Sequence, residues 1–371
     1  MTPPTRLFDL FAPLAARIFR SLAANPPMIA ACRALSAAMV GAVLALSSHT
    51  AARADTRDDG VPPTTAASAT ARAAADADPD EVITQDLDWF DQARKRAVPV
   101  RLYLPAAAAN RPLPLVVFSH GIGGSRRGYS YLGRYFASHG IASLHLQHVG
   151  SDRSLWGGNM FGLIGRLQGA AQEEEAIARV ADLKFALDQL LGNAELAPKI
   201  DAGRIVAAGH SYGANTMLLA VGARVERNGR VIDLADPRLK AAIILSAPPF
   251  YGESDPAKIL SAIKVPTLHI TATEDVIKIP GYYSGAEDRI AVYDATGGAR
   301  KLLAVFEGGS HSMFTDRAGS GGANLNSQVK TATRELALAF MKSVFDREDA
   351  ALVVWPKRFA GILSRFSASG H

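Results

Sequence analysis

The chain has 371 residues, 48% of them hydrophobic, and a formal net charge of +5. This length allows one large α/β domain or two small ones, and the apolar content is enough for a sizeable core. The positive charge is spread along the sequence, without the Lys/Arg clusters and interleaved aromatics of a nucleic-acid groove. We therefore expect a globular enzyme, and we do not expect nucleic acid as a partner.

Residues 1–54 have the pattern of an export signal. Arg33 precedes an apolar run at 34–46, and residues 52–54 form a small-x-small cleavage pattern. The run is shorter than the ~20 residues that cross a bilayer as a helix, so no stable membrane insertion is expected after processing. A periplasmic or secreted protein is predicted, with a retained anchor as the alternative. Met28 is interpreted as a better start than Met1, because a signal that begins at Met1 would have an unusually long leader.

The single cysteine and the segment after the signal bear on the processed protein. Cys32, the only cysteine, lies in the leader, so a processed protein would have neither a disulfide nor a cysteine nucleophile. Residues 55–80 are rich in Ala, Asp, Thr and Pro and lack aromatics, which is typical of a flexible linker. The catalytic domain is therefore predicted over residues 81–371.

Strand and helix patterns alternate along this domain. Residues 86–90 and 98–104 predict an antiparallel hairpin at a sheet edge. Short apolar runs typical of buried parallel strands follow, at 115–119, 141–146, 204–208, 241–245, 267–271 and 301–306. Helical stretches lie between them, and the clearest is 172–191. The prediction is an α/β fold with a mostly parallel, doubly wound sheet and an N-terminal antiparallel edge hairpin.

Three further segments have local patterns of their own. Residues 224–237 contain Asn228-Gly229, a turn signal that predicts a small surface hairpin. Residues 331–346 predict a final amphipathic helix. The basic segment 357–365 is interpreted as another helix, solvated and packed on the surface, with docking on a membrane as the alternative.

The strongest chemical signal is the segment Gly209-His210-Ser211-Tyr212-Gly213. It follows a buried strand and precedes a helix-forming stretch, which is the context of a nucleophile elbow. Glycine on both sides lets the chain pass closely at a sharp turn, and the helix N-terminus stabilises developing negative charge. Ser211 is predicted to be the nucleophile, with an ordinary glycine-flanked turn as the alternative.

A serine hydroxyl needs a base that takes its proton. Of the nine histidines, His311 is the one in the loop that directly follows the last predicted strand, at the carboxyl end of the sheet. His210 is expected to point away from Ser211, and His269 to be a core residue of an apolar strand. The others lie in the leader, at the carboxyl terminus or before the elbow: His49, His371, His120, His139, His145 and His148. His311 is the predicted base.

The acid that orients the imidazole is expected between the serine and the histidine. Asp275 has that place, just after the predicted strand 267–271, and Glu274 is its close competitor. Asp288 and Asp294 lie further from a strand end and are interpreted as surface charges. The predicted triad is completed by Asp275.

The glycine-rich turn at 120–124 supplies the second half of the predicted site. A strand that ends in such a turn frees backbone N–H groups to face a substrate carbonyl. We expect the amides of Ile122 and Tyr212 to form the oxyanion hole, and His120 to brace the turn. A phosphate-binding loop is the poorer interpretation, because the Lys-Ser/Thr end of that motif is absent.

With these residues the chain resembles the α/β-hydrolase superfamily, near platelet-activating-factor acetylhydrolase and the predicted dienelactone hydrolases. The similar segments are 119–125, 148–152, 209–213 and 236–242, and the resemblance extends over about residues 83–345. It implies Ser211 as nucleophile, Asp275 as acid, His311 as base, and Ile122 with Tyr212 as oxyanion hole. True dienelactone hydrolases use cysteine, so the serine here does not imply lactone cleavage.

Residues 153–169 combine apolar side chains with five glycines and follow a strand on the side of the predicted site. We interpret them as a flap whose Trp156 and Phe161 contact the acyl group, with packing over the sheet edge as the alternative.

The predicted reaction is hydrolysis of a carboxylic ester through an acyl-enzyme, with a small-molecule or lipid-like substrate and no cofactor. A peptidase or thioesterase with the same triad, and a non-catalytic binding protein on a hydrolase scaffold, are the alternatives. No metal site is predicted, because His145, His148 and Asp152 lack a ligand spacing. The acyl length and the oligomeric state are left open by the sequence.

Overall fold

The computed structural model describes residues 81–107, 111–159, 162–250, 252–279, 282–318 and 322–369. The predicted leader, Cys32, the linker and Phe161 lie outside these described residues. The strands are β1 (Val82–Asp91), β2 (Arg96–Pro105), β3 (Leu113–Ser119), β4 (Ala142–Leu146), β5 (Ile200–His210), β6 (Arg224–Arg227), β7 (Arg230–Asp233), β8 (Leu239–Leu245), β9 (Thr267–Glu274), β10 (Ile277–Ile279), β11 (Tyr282–Ser284), β12 (Lys301–Ser310) and β13 (Leu363–Ser369).

The central sheet has the strand order β1-β2-β4-β3-β5-β8-β9-β12-β13. The strands from β4 to β12 are parallel, whereas β1, β2 and β13 pair antiparallel at the two edges. The predicted α/β class, the mostly parallel sheet and the N-terminal edge hairpin are confirmed. Because the carboxyl ends of parallel strands meet at one edge, the residues after β3, β5, β8, β9 and β12 are brought together there.

Helices cover both faces of this sheet. They are α1 (Ser130–Ser138), α2 (Leu163–Ala170), α3 (Glu173–Gly192), α4 (Tyr212–Ala220), α5 (Pro256–Leu260), α6 (Ala286–Ala295), α7 (Ala323–Phe345) and α8 (Ala350–Arg358). Alternate strand residues point to opposite faces, so Val117 packs with α3 and α4 while Phe118 packs with α1 and α7. Every helix within the described ranges is too short or too polar to span a bilayer.

The carboxyl-terminal segment differs from its predicted helix. Helix α8 ends at Arg358, and Leu363–Ser369 instead forms β13 against β12. Phe366 is partly buried and packs on Trp355, with ring centres 5.6 Å apart, while Arg365 and Ala368 are exposed. The basic composition of this segment does not indicate that the edge of β12 is open. Strand β13 forms hydrogen bonds with the backbone groups of that edge. The surface hairpin is confirmed as β6–β7, with positive φ at Asn228 and Gly229.

Candidate active site

Ser211 occupies the sharp turn between β5 and α4. Its backbone has φ 55° and ψ −125°, a sparsely populated conformation that costs about 1–3 kcal/mol and is held by the surrounding chain. A Cβ on Gly209 would lie 2.3 Å from Gly213 O, and one on Gly213 would lie 2.0 Å from Ser119 O. Only glycine fits at both positions, so the sequence around Ser211 permits this close turn and places the hydroxyl at the carboxyl edge of the sheet.

Three side chains from three strand ends form a hydrogen-bonded line. The Ser211 hydroxyl donates to His311 Nε2 over 2.9 Å, and His311 Nδ1–H donates to Asp275 Oδ1 over 2.7 Å. Ser211 follows β5, Asp275 follows β9, and His311 begins a short 3₁₀ turn directly after β12. The structure therefore brings together the three residues predicted as nucleophile, base and acid.

Asp275 is buried and accepts further hydrogen bonds that the sequence did not indicate. The hydroxyls of Ser246 and Thr271 both donate to Oδ2, the latter over 2.8 Å. Ser246 Oγ also lies 2.7 Å from His311 Nδ1, so the hydroxyl bridges acid and imidazole. Arg289 Nε lies 3.4 Å from Oδ1. Ser246 directly follows β8, and that placement at the carboxyl edge is the signal that could have identified it.

These contacts decide the ionisation of Asp275. Burial alone would raise the pKa of this carboxyl, but the hydrogen bond from His311, the Arg289 charge and the Ser246 hydroxyl outweigh burial and hold the pKa below its ordinary value. Asp275 is therefore ionised at neutral pH. A carboxylate in this position favours the His311 tautomer with its proton on Nδ1, which leaves Nε2 free to accept from Ser211.

The competing acids and histidines have other surroundings. Glu274 is exposed at the end of β9, and Asp288 caps α6 by accepting from Gly285 N–H over 2.8 Å. His210 is buried, and its Nε2–H donates to His311 O over 3.0 Å while Nδ1 accepts from a tyrosine hydroxyl. Burial lowers the pKa of His210 to about 3, so the ring is neutral and supports the His311 backbone. His269 is buried in β9, and burial also lowers its pKa to about 3.

The turn after β3 lies against Ser211. A Cβ on Gly121 would be 3.2 Å from Ser211 Cβ. Gly123 N–H donates to Ser151 O over 2.8 Å, whereas Ile122 N–H donates to no acceptor in the described part of the chain. Tyr212 is the first residue of α4, so its N–H has no acceptor within the helix. The amides of Ile122 and Tyr212, predicted to form the oxyanion hole, therefore have no acceptor in this part of the described chain.

The start of the segment predicted as a flap is fastened to this turn. Trp156 Nε1–H donates to Gly123 O over 2.9 Å, although the indole is 52% exposed. Gly123 has φ 70°, and a Cβ there would lie 2.4 Å from Trp156 Nε1, so the indole packs directly on the glycine. Leu155 is buried, whereas Ile164 of α2 is exposed. Phe161, the second residue predicted to contact substrate, lies outside the described residues.

The side chains considered as metal ligands have separate partners. His145 bonds Ser143 Oγ and Gly128 O, and Asp152 accepts from Gln147 and Ser154. Among the residues that the structure describes, no three His, Cys, Asp or Glu side chains are grouped to hold a metal ion.

The architecture is also found in a solved esterase structure. A ferulic acid esterase from Streptomyces cinnamoneus superposes with a TM-score of 0.53 and 23% sequence identity, over 76% of this chain and 94% of that one. The chain has the α/β-hydrolase fold. At this identity the likeness concerns the fold alone.

Part of the chain also matches a sequence family. Residues 91–157 match the family described as platelet-activating factor acetylhydrolase, isoform II. The match covers the turn with Ile122 and ends before Ser211. This match confirms the predicted resemblance to platelet-activating-factor acetylhydrolase, and the structural likeness confirms the predicted fold. No curated protein matches the chain.

Proposed function

We propose that the protein hydrolyses carboxylic esters through an acyl-enzyme formed on Ser211. The observation that carries the proposal is the line of two hydrogen bonds, 2.9 Å and 2.7 Å long, from Ser211 through His311 to the buried Asp275. A hydroxyl becomes nucleophilic when a neutral imidazole takes its proton, and a buried carboxylate stabilises the imidazolium that results.

The reaction proceeds in two halves. Ser211 Oγ attacks the ester carbonyl carbon, its proton passes to His311 Nε2, and the oxyanion is held by the amides of Ile122 and Tyr212. The intermediate collapses to the acyl-enzyme, and the leaving alcohol takes the proton from His311. Water then attacks the acyl carbon and gives a proton to His311, which returns it to Ser211 as the carboxylic acid departs. The chemistry needs no cofactor or metal.

An ester is favoured over an amide or thioester because the similar proteins are named an acetylhydrolase and an esterase. The substrate class proposed is a small-molecule or lipid-like ester. A peptidase or thioesterase could use the same three residues, since the triad does not identify the leaving group. A non-catalytic binding protein would retain the fold without turnover.

A substrate panel tests the proposal. We expect purified protein to hydrolyse p-nitrophenyl esters, and Ser211→Ala to abolish this while remaining folded. Amides and thioesters of matched acyl groups are measured alongside, and a higher kcat/KM on either would replace the ester assignment. Folded wild-type protein without turnover on any member of the panel would favour the binding protein.

We also propose that the protein acts in the periplasm or outside the cell. Support comes from the apolar run at 34–46 and the small-x-small pattern at 52–54. Amino-terminal sequencing of periplasmic or secreted material is expected to begin near residue 55. An intact leader recovered in a membrane fraction would favour an anchor instead.

A further inference from the structure

A buried arginine lies behind the turn that faces Ser211. Arg179, in the second turn of α3, is fully buried. Its guanidinium donates to the hydroxyls of Ser119, Ser151 and Thr216 over 2.8–2.9 Å, and also to His120 O. All of these acceptors are uncharged oxygens. The side chain therefore uses its fixed fork of donors to bond three separate segments of the chain.

These segments form the two walls of the predicted oxyanion hole. Ser119 and His120 lead from β3 into the turn that contains Ile122. Ser151 supplies the carbonyl that accepts from Gly123 N–H in the same turn. On the other wall Thr216 belongs to α4, and the guanidinium carbon lies 4.5 Å from the centre of the Tyr212 ring. One rigid group thus contacts both the Ile122 wall and the Tyr212 wall.

Neutral groups lie between the Arg179 guanidinium and the two carboxylates near it, Glu175 and Asp182. Ser151 Oγ–H donates to Glu175 over 2.7 Å, while Ser119 reaches Asp182 through the ring of His148, with bonds of 2.9 Å and 3.0 Å. Burial lowers the pKa of Arg179 to about 10, so the group is still charged at neutral pH. A buried charge without direct ionic pairing is costly, which makes a role in stability alone a poor explanation.

We propose that Arg179 is a positioning residue, which holds the amides of Ile122 and Tyr212 at the spacing that a tetrahedral oxyanion requires and places a positive charge behind them. The inference rests on the proposed ester hydrolysis. Preorganised donors are effective because they need no rearrangement when charge develops, so loosening their support lowers kcat more than it weakens substrate binding.

The test compares two replacements of Arg179 with a matched control on the same helix. Arg179→Met removes both charge and donors, Arg179→Lys keeps the charge without the fork, and Leu187→Ala removes a buried side chain two turns away. Ester kinetics and the rate of fluorophosphonate labelling are measured on each folded protein, well below its Tm. For Arg179→Met we expect kcat to fall ~10²-fold, comparable to the loss of one oxyanion donor, with KM little changed.

The other variants separate positioning from stability. Arg179→Lys should recover part of the lost kcat, and Leu187→Ala should lower Tm while keeping kcat. Unchanged kcat and labelling in folded Arg179→Met would overturn the inference, as would an equal loss in Leu187→Ala.

If Arg179→Met does not fold, a milder variant still tests the proposal. Thr216→Val removes the acceptor of Arg179 Nε and the hydrogen bond that Thr216 Oγ1–H donates to Tyr212 O over 3.0 Å. It should lower kcat by a smaller factor than Arg179→Met, whereas unchanged kcat in this variant and in Arg179→Lys would refute the proposal. If wild-type protein neither hydrolyses esters nor reacts with fluorophosphonate, the proposed function itself fails. If wild type reacts and the Arg179 variants react equally fast, only this inference fails.

Discussion

Replacing Asp275 with asparagine tests the assignment of the acid. Both carboxylate oxygens accept hydrogen bonds, Oδ1 from His311 and Oδ2 from Ser246 and Thr271. An amide has one oxygen, so its NH₂ must face one of these groups. With NH₂ towards His311 the imidazole carries its proton on Nε2 and cannot accept from Ser211. In either orientation the imidazolium loses its counter-charge, and kcat is expected to fall ~10⁴-fold.

The same change should also destabilise the protein through Arg289. This side chain is 2% exposed, and its Nε, 3.4 Å from Asp275 Oδ1, has no hydrogen-bond partner among the described residues. Removing the carboxylate leaves a buried charge uncompensated, which costs ~3 kcal/mol of unfolding free energy. Adding Arg289→Met removes that charge. The double variant should therefore recover stability without recovering activity.

The assay pairs ester kinetics with denaturant unfolding for Asp275→Asn, the double variant and Glu274→Gln. Glu274 is the adjacent carboxylate but is exposed, so its replacement should change kcat and unfolding free energy little. If Glu274→Gln loses most of its activity while Asp275→Asn stays nearly active, the acid is Glu274 and not Asp275.

Three further predictions concern the nucleophile, the flap and acid stability. Ser211→Ala and His311→Ala should each lower kcat by ~10⁴ or more, and the double variant should be hardly worse, because triad members act as a unit. Trp156→Ala with Phe161→Ala should raise KM for long acyl esters more than for acetate, at ~0.8 kcal/mol per buried methylene, and equal loss on all esters with a lower Tm would indicate packing instead. Burial lowers the pKa of His145 to about 4, so the unfolded state binds more protons between pH 6.5 and 4. The free energy of unfolding should therefore decrease as the pH is lowered from 6.5 to 4. His145→Gln should reduce this dependence by up to about 1.4 kcal/mol per pH unit, measured by urea unfolding.

Much of the fold was predictable because buried parallel strands are continuous apolar runs. The runs at 115–119 and 241–245 lie within β3 and β8, and the helix predicted at 172–191 is α3 within one residue at each end. Strand β13 could not be predicted from its own composition, since its pairing depends on the exposed edge of β12, which precedes it by more than fifty residues. Local patterns do not report such distant partners.

In the candidate site, too, local patterns were predictable and contacts between distant segments were not. The elbow was found because glycines and the nucleophile are adjacent in sequence, whereas Ser246 and Arg289 meet Asp275 only in the folded chain. Arg179 did have a sequence signal. It lies three residues after Ala176 and four before Leu183, on the apolar face of α3, where a charged residue requires buried partners.

Mass spectrometry of the protein after fluorophosphonate treatment identifies the nucleophile itself. We expect one phosphonyl adduct per wild-type chain, on the peptide that contains Ser211, and no adduct on Ser211→Ala. An adduct on another residue would rule out Ser211 as the nucleophile, and so would ester hydrolysis that persists in Ser211→Ala at the wild-type rate.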